Sequence, residues 1–384
     1  MKKSGRFIGA VKRVIVQQTK KLPRHGEGTA ILMKSGKVCL VYSRFIGGGA
    51  DHDTAELKGG ILDLKTGKLT GQKVLFHSRK ALNQMSASLE KLSSGDWGMV
   101  WIRKTSKTTD DIYFSRSADE GKTWSKPVKI NRNEKYPYYV INNDRLREFS
   151  SGRLAAPVCI YPGKWHKTPA ELAMFYSDDG GKNWKLSGCV RLLKENMIRP
   201  QKMNAGSKKV WAEVCKLWGY QEPGVEELAD GRILMYCRTT NGYMYQTYST
   251  DDGLTWGPLK AAKDIVSCCG PQSIRRLPGS RRLMCVFNDH RDWPFGVENP
   301  ATGMHWHWRT PLSIAVSDDN ARSWKVLGNI EDSSHNYCYT SILFNGNKVL
   351  LTDYESDNKI VNGKEERRNL ASLKMQVINR RDLE

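Results

Sequence analysis

The chain lacks any apolar run long enough to cross a bilayer as a helix, and no stretch repeats its apolar residues with a helical period, so neither a helical membrane span nor a helix bundle is expected. It also lacks a disulfide framework. Its nine cysteines are an odd number and fall mostly inside strand-like runs (Cys39, Cys159, Cys237, Cys285), which suits buried, reduced thiols. The adjacent Cys268 and Cys269 do not have the spacing of a zinc or redox motif. His305 and His307 alternate onto one strand face with no third ligand at a recognisable spacing, so neither metal nor cofactor is expected. Acidic residues are scarce beside basic ones, 40 against 61, leaving a net charge of +21. That excess favours an anionic ligand or surface, or is simply a basic exterior with lysines on turns such as Lys34 and Lys37. With no basic helix and no aromatic-interleaved RNA motif, a nucleic-acid partner is not expected. The N-terminal MKKSGRFIGAVKRVIVQQTKK is basic without the apolar core of a signal peptide. The expected compartment is the cytoplasm, or the outside of the cell for a chain whose leader has been removed.

What the chain has in quantity is repetition. Four copies of one loop occur: SADEGKTW (117–124), SDDGGKNW (177–184), STDDGLTW (249–256) and SDDNARSW (317–324). Their last residues, Trp124, Trp184, Trp256 and Trp324, are 60, 72 and 68 residues apart, the interval of a recurring unit of about four strands. Within the loop the Asp can hydrogen-bond backbone groups just ahead of it, the Gly supplies a positive φ, and the hydroxyl caps a nearby donor. The Trp is then an apolar plug between neighbouring units. In the last copy Ala321 replaces the Gly.

A second repeat runs beside the first: strand, Gly-centred turn, strand. It occurs at 30–44, 88–103, 146–160, 225–238, 274–288 and 342–354. β-branched and aromatic content with regular turns favours strands. Six hairpins imply an all-β, six-bladed β-propeller with four antiparallel strands per blade. The expected blades are 23–76, 83–130, 140–193, 221–262, 270–330 and 337–379, in one domain spanning 1–384. VKRVIVQQ (11–18) is expected as the outer strand of the last blade, closing the ring and removing free edges.

The loop closely resembles the Asp-box of sialidases and related β-propellers, a repeat that argues for fold more than for activity. In such a ring the residues flanking each hairpin meet on one face. There Gln221-Glu222-Pro223-Gly224 and, after ELADGRILM, Arg238 resemble a sialidase Glu and Arg. Arg309 stands where sialidases place another carboxylate-binding Arg. Tyr339-Thr340-Ser341, followed by Asp353-Tyr354-Glu355, resembles the segment of the Tyr nucleophile. The resemblance implies that Tyr339 attacks an anomeric carbon while Glu222 takes its proton, and that Arg238 and Arg309 hold a substrate carboxylate. After FIGGGA (45–50), the loop DHDTAEL (51–57) resembles the one bearing the acid/base, with Asp51 the first candidate and Asp53 the second. Where sialidases open the first blade with Arg-Ile-Pro, this chain has Arg24-His25-Gly26-Glu27, and Glu27 is expected to repel a carboxylate there. Arg44 and Arg145 are the expected substitutes for the third arginine, and both are also candidates for structural ion pairs. Gln84, Gln221, Asn143, Asp144, Asp289 and His290 are expected on the pocket wall, and the insert 291–308, with Trp293, Trp306 and Trp308, is a candidate sugar-stacking surface. The implied activity is an exo-acting hydrolase of a terminal sialic acid or related acidic sugar. The alternatives are a lyase or hydrolase of another acidic or sulfated polysaccharide, and a non-catalytic carbohydrate-binding propeller.

Overall fold

The computed structural model describes residues 7–132, 136, 138–163, 170–191, 193–196, 220–291, 309–356, 359–361, 364–366 and 370–384. The aromatic insert, apart from Arg291, lies outside them. The described chain is an all-β propeller of consecutive antiparallel meanders.

β1 (Ala10–Val16) comes first, followed by β2 (His25–Leu32), β3 (Val38–Phe45), β4 (Ala55–Leu62) and β5 (Leu69–Leu75). The next meander is β6 (Asn83–Lys91), β7 (Trp97–Ser106), β8 (Thr109–Ser117) and β9 (Val128–Lys129). These two meanders form one eight-stranded sheet through a single parallel pair, Ala55 with Asn83. In the third sheet region the inner strand is split into β10 (Tyr138–Val140) and β11 (Arg147–Glu148), both pairing β12 (Leu154–Tyr161), with β13 (Glu171–Ser177) and β14 (Lys185–Leu186) outside. Two four-stranded sheets follow. One holds β15 (Tyr220–Glu227), β16 (Ile233–Thr239), β17 (Tyr243–Ser249) and β18 (Lys260–Val266). The other holds β19 (Ser273–Arg276), β20 (Leu283–Asn288), β21 (Leu312–Ser317) and β22 (Lys325–Glu331). The last comprises β23 (Asn336–Asn345), β24 (Lys348–Ser356) and β27 (Ala371–Asn379), with the hairpin β25 (Lys359–Val361) and β26 (Lys364–Glu366) between the latter two. β1 pairs with β27 on its outer side, so the first and last parts of the chain share a sheet, as the closure expectation required.

The Asp-box loops fold as their composition dictates. In the second, Asp179 Oδ1 accepts from the backbone N–H groups of Lys182 (3.0 Å) and Asn183 (2.9 Å), and Ser177 Oγ accepts from Gly181 N–H at 2.9 Å. The fourth keeps this geometry without glycine: Ala321 takes φ 62° and donates to Ser317 Oγ at 3.0 Å. The tryptophans pack across meander boundaries. Trp184 lies against Phe114 of β8, with centroids 5.3 Å apart, and Trp324 joins the core of Leu234 and Tyr236 on β16.

The inner strands share a distortion that positions the site. Register breaks at Gly26/Thr29, Met85/Ser88, Gln221/Gly224 and Cys338/Ser341 bend β2, β6, β15 and β23. At each break one non-glycine residue adopts a left-handed backbone: Glu27 (φ 52°), Ser86 (58°), Glu222 (52°) and Tyr339 (58°). Asp144, between β10 and β11, does the same at 57°. Each such residue costs about 1 kcal/mol, a strain typical of functional positions. Beyond the bends, residues of β2, β6, β11, β15, β19 and β23 together line a cavity of about 460 Å³ at the far end of the axis.

Candidate active site

The bulges of β15 and β23 bring two of these residues together across the ring. Tyr339 Oη donates to Glu222 Oε1 at 3.2 Å, and the same oxygen lies 3.1 Å from Arg238 Nη2. Arg238 also donates to Gln221 Oε1 (2.6 Å) and to the Cys269 carbonyl (3.2 Å). Among the described residues Glu222 Oε2 and Arg238 Nε are buried without a partner, so both retain capacity for a ligand. Arg309 Nη1 donates to Tyr354 Oη (2.8 Å) and Cys338 Sγ (3.0 Å), and its guanidinium lies 5.2 Å from the Tyr339 ring centroid. Among the described residues Arg309 forms no ion pair with a carboxylate. Burial, and then the negative charge of Glu222, push the Tyr339 phenol well above its ordinary range, so at neutral pH it holds its proton. Burial pushes the Cys338 thiol up to about 11, even with Arg309 pulling it down.

The third arginine is one the sequence reading passed over. Arg24 stacks on Phe45 at 4.4 Å, donates from Nη2 to Glu27 Oε1 at 2.5 Å, and donates from Nη1 to Asp51 Oδ1 at 2.6 Å. Glu27 Oε2 accepts from Ser86 Oγ at 2.8 Å. Burial pushes the Glu27 carboxyl up, and Arg24 opposes that. Glu27 is therefore held by Arg24 and Ser86 rather than facing a ligand alone, which corrects the purely repulsive role expected of it. Desolvation resists ionisation of Asp51, but the guanidinium of Arg24 outweighs it and holds the carboxyl at about 2. The overlooked signal was the Arg itself: Arg24 keeps the first position of the family's Arg-Ile-Pro, and only the two residues after it differ.

Other expected site residues have different work. Arg44 pairs with Glu56 on the neighbouring strand β4. Arg145 is fully buried, donating to the Gln272 carbonyl (2.7 Å) and Tyr236 Oη (3.3 Å). Both guanidinium groups bond mainly to these partners within the fold, and the Nε of each is buried without a partner among the described residues. Asn143 Nδ2 donates to the carbonyls of Gly28 (2.7 Å) and Tyr339 (2.9 Å), so it ties the Tyr339 backbone across the axis instead of facing a ligand. Asp144 accepts from Arg275 Nη2 (2.6 Å) and Ile342 N–H (3.1 Å) and is likewise a cross-link. Gln84 is used up between the Phe76 carbonyl (2.8 Å) and Trp101 Nε1 (3.2 Å). Asp53 caps Ala50 N–H at 2.7 Å and shapes the loop that presents Asp51. Asp289 pairs with Arg291 at 2.6 Å, and His290 is buried with its backbone N–H on the Val266 carbonyl. Among the described residues no group of three or more His, Cys, Asp or Glu forms a metal cage. No helix among them is long and apolar enough to cross a membrane.

Repeated Asp-box meanders around an axis, with a Tyr–Glu pair and three arginines at one end, define a propeller of the sialidase type. The chain belongs to the BNR repeat-like domain family, whose profile matches residues 67–351. A sialidase of Bacteroides fragilis is 34% identical over 86 residues, which is 22% of this chain and 15% of that protein. The fold matches Trypanosoma rangeli sialidase in complex with sialic acid at a TM-score of 0.67 and 15% identity, over 96% of this chain and 59% of that one. It matches a protein of unknown function from Dyadobacter fermentans at a TM-score of 0.70 and 16% identity, over 97% and 99% of the two chains. This chain is thus well short of the full length of the sialidases of B. fragilis and T. rangeli, and the likeness to the solved structures is one of fold.

Proposed function

We propose that the chain is a retaining, exo-acting glycoside hydrolase that releases a terminal sialic acid or related acidic sugar. One observation carries this reading: a phenol bonded to a buried carboxylate stands beside Arg309, a guanidinium with no carboxylate of its own among the described residues. A substrate with a carboxylate on its anomeric carbon would seat that group on Arg309, Arg238 and Arg24 through charge-assisted hydrogen bonds. A carboxylate nucleophile would be repelled by such a substrate, whereas a neutral phenol would not. Tyr339 Oη attacks the anomeric carbon as its proton passes to Glu222, and Asp51 protonates the departing glycosidic oxygen. Water then attacks the same carbon and gives a proton to Asp51, while the Tyr339 oxygen leaves and recovers its proton from Glu222. We also infer six blades in one domain, because the eight-stranded sheet holds two full meanders joined by one pair of residues.

A fluorogenic sialoside assay of wild type beside Tyr339→Phe tests the reading. It predicts turnover that the substitution abolishes. Turnover surviving in Tyr339→Phe removes the tyrosine mechanism. No turnover of any sialoside by wild type removes the sialidase reading in favour of another acidic polysaccharide.

A further inference from the structure

Arg24 is placed to do more than bind. It bridges two carboxylates that differ in their freedom to leave. Glu27 is 2% exposed, fixed by its left-handed backbone and by Ser86. The Asp51 side chain is 63% exposed and, among the described residues, bonds to Arg24 alone. The loop beneath it is braced: Asp53 caps Ala50, Asn83 Nδ2 donates to the Asp53 carbonyl at 2.7 Å, and Gly47 N–H donates to the Lys21 carbonyl at 2.9 Å. The side chain can therefore swing while the backbone stays.

We propose that Asp51 is latched on Arg24 in the resting protein, and that a substrate carboxylate frees it as the acid by taking its place on Arg24 Nη1. This inference rests on the hydrolase reading of the site and adds a basis for selecting acidic sugars. A neutral sugar has no group to displace Asp51 and leaves it ionised on Arg24, unable to give a proton. An anion does two things at once: it takes the hydrogen bond and it cancels the charge that keeps Asp51 ionised. The other charged or titratable groups around Asp51 are Glu27 on β2, His52 and Asp53 on its own loop, Lys104 on β7, Tyr138 on β10, and Arg309. Of these only Arg24 bonds the Asp51 carboxylate directly. In this scheme Arg24 is a positioning residue for the acid as well as a ligand for the substrate.

Two measurements test it. Carbon-detected NMR titration of the ligand-free protein, assigned with Asp51→Asn, is expected to place the Asp51 carboxyl at about 2. The same titration in Arg24→Lys and Arg24→Gln should move it toward the ordinary carboxylate range. An ordinary value already present in wild type overturns the latch. The second measurement is calorimetric binding of the dehydro analogue of N-acetylneuraminic acid. Removing the competing carboxylate in Asp51→Asn should tighten binding by about twofold to fivefold, the worth of a partly exposed ion pair. Binding to wild type also takes up a proton at mildly acidic pH. If wild type binds the analogue and Asp51→Asn binds it equally or more weakly, the latch is wrong while the hydrolase reading stands. If neither protein binds it, the acidic-sugar reading and the substrate half of the inference fail together, and the ligand-free titration still decides the resting half.

Discussion

Replacing Arg309 with methionine should raise the stability of the empty protein while removing its function. At neutral pH the groups nearest Arg309 carry no charge to offset it: Cys338 is pushed up to about 11, and burial raises the phenols of Tyr339 and Tyr354 above their ordinary range. The carboxylate that acts on it, Glu222, is already bonded to Arg238 and Tyr339. A partly buried cation held this way costs stability, and an apolar side chain of similar length in its place is worth about 2 kcal/mol. The lost hydrogen bond to Tyr354 returns about 1 kcal/mol of that. At about 2 cal/mol/K of unfolding entropy per residue over 384 residues, the net gain raises Tm by about 1 °C. The functional loss is far larger. Two charge-assisted bonds to a carboxylate are worth about 3–6 kcal/mol, so kcat/KM on an acidic substrate should fall by about two to four orders of magnitude. Differential scanning fluorimetry with and without the dehydro analogue, beside the fluorogenic assay, reads both. A Tm several degrees lower in Arg309→Met, with ligand stabilisation intact, would show that Arg309 serves the fold and refute the argument.

Three further outcomes are expected. His25 is 1% exposed, and burial followed by the charge of Arg44 lowers its pKa from 6.5 to about 4. The unfolded chain therefore takes up a proton that the folded chain refuses, and stability should fall by about 3 kcal/mol as pH drops from 6.5 to 4; urea melts of His25→Phe should lack that slope. A Cβ at Gly224 would lie 2.3 Å from the Tyr236 ring, which is held by Ile274 N–H and Arg145, so Gly224→Ala should cost about 1–3 kcal/mol in denaturant melts and disturb the neighbouring Glu222. Glu222→Gln removes the acceptor for the Tyr339 proton and should lower kcat by about two to four orders of magnitude, measured at substrate saturation, with the fold retained by circular dichroism.

The parts of this molecule that were legible in the sequence are those that repeat or keep short-range order. The Asp-box is built from contacts within eight residues, so SDDGGKNW implies its own hydrogen bonds. Glu222, Arg238, Arg309 and Tyr339 are legible as candidates because each sits at a fixed place beside a hairpin. The axis was illegible for the opposite reason. Asn143 reaches Tyr339 across 196 residues, and Arg145 reaches Gln272 across 127, so no local pattern distinguishes these cross-links from a polar pocket wall. Glu27 misled for a similar reason: its charge reads as repulsion until Arg24 and Ser86 are seen to hold it. The left-handed bends carry non-glycine side chains at each of the five inner-strand positions, so the usual glycine marker was absent there.

The central claim is that the Tyr339 oxygen bonds the anomeric carbon of an acidic sugar. Incubation with a difluorinated sialosyl fluoride, followed by intact-mass and peptide mass spectrometry, tests it most directly. The account predicts one sugar adduct on the peptide that contains Tyr339, absent from Tyr339→Phe and weakened in Arg309→Met. An adduct on a carboxylate side chain, or a labelled Tyr339→Phe protein, would contradict it.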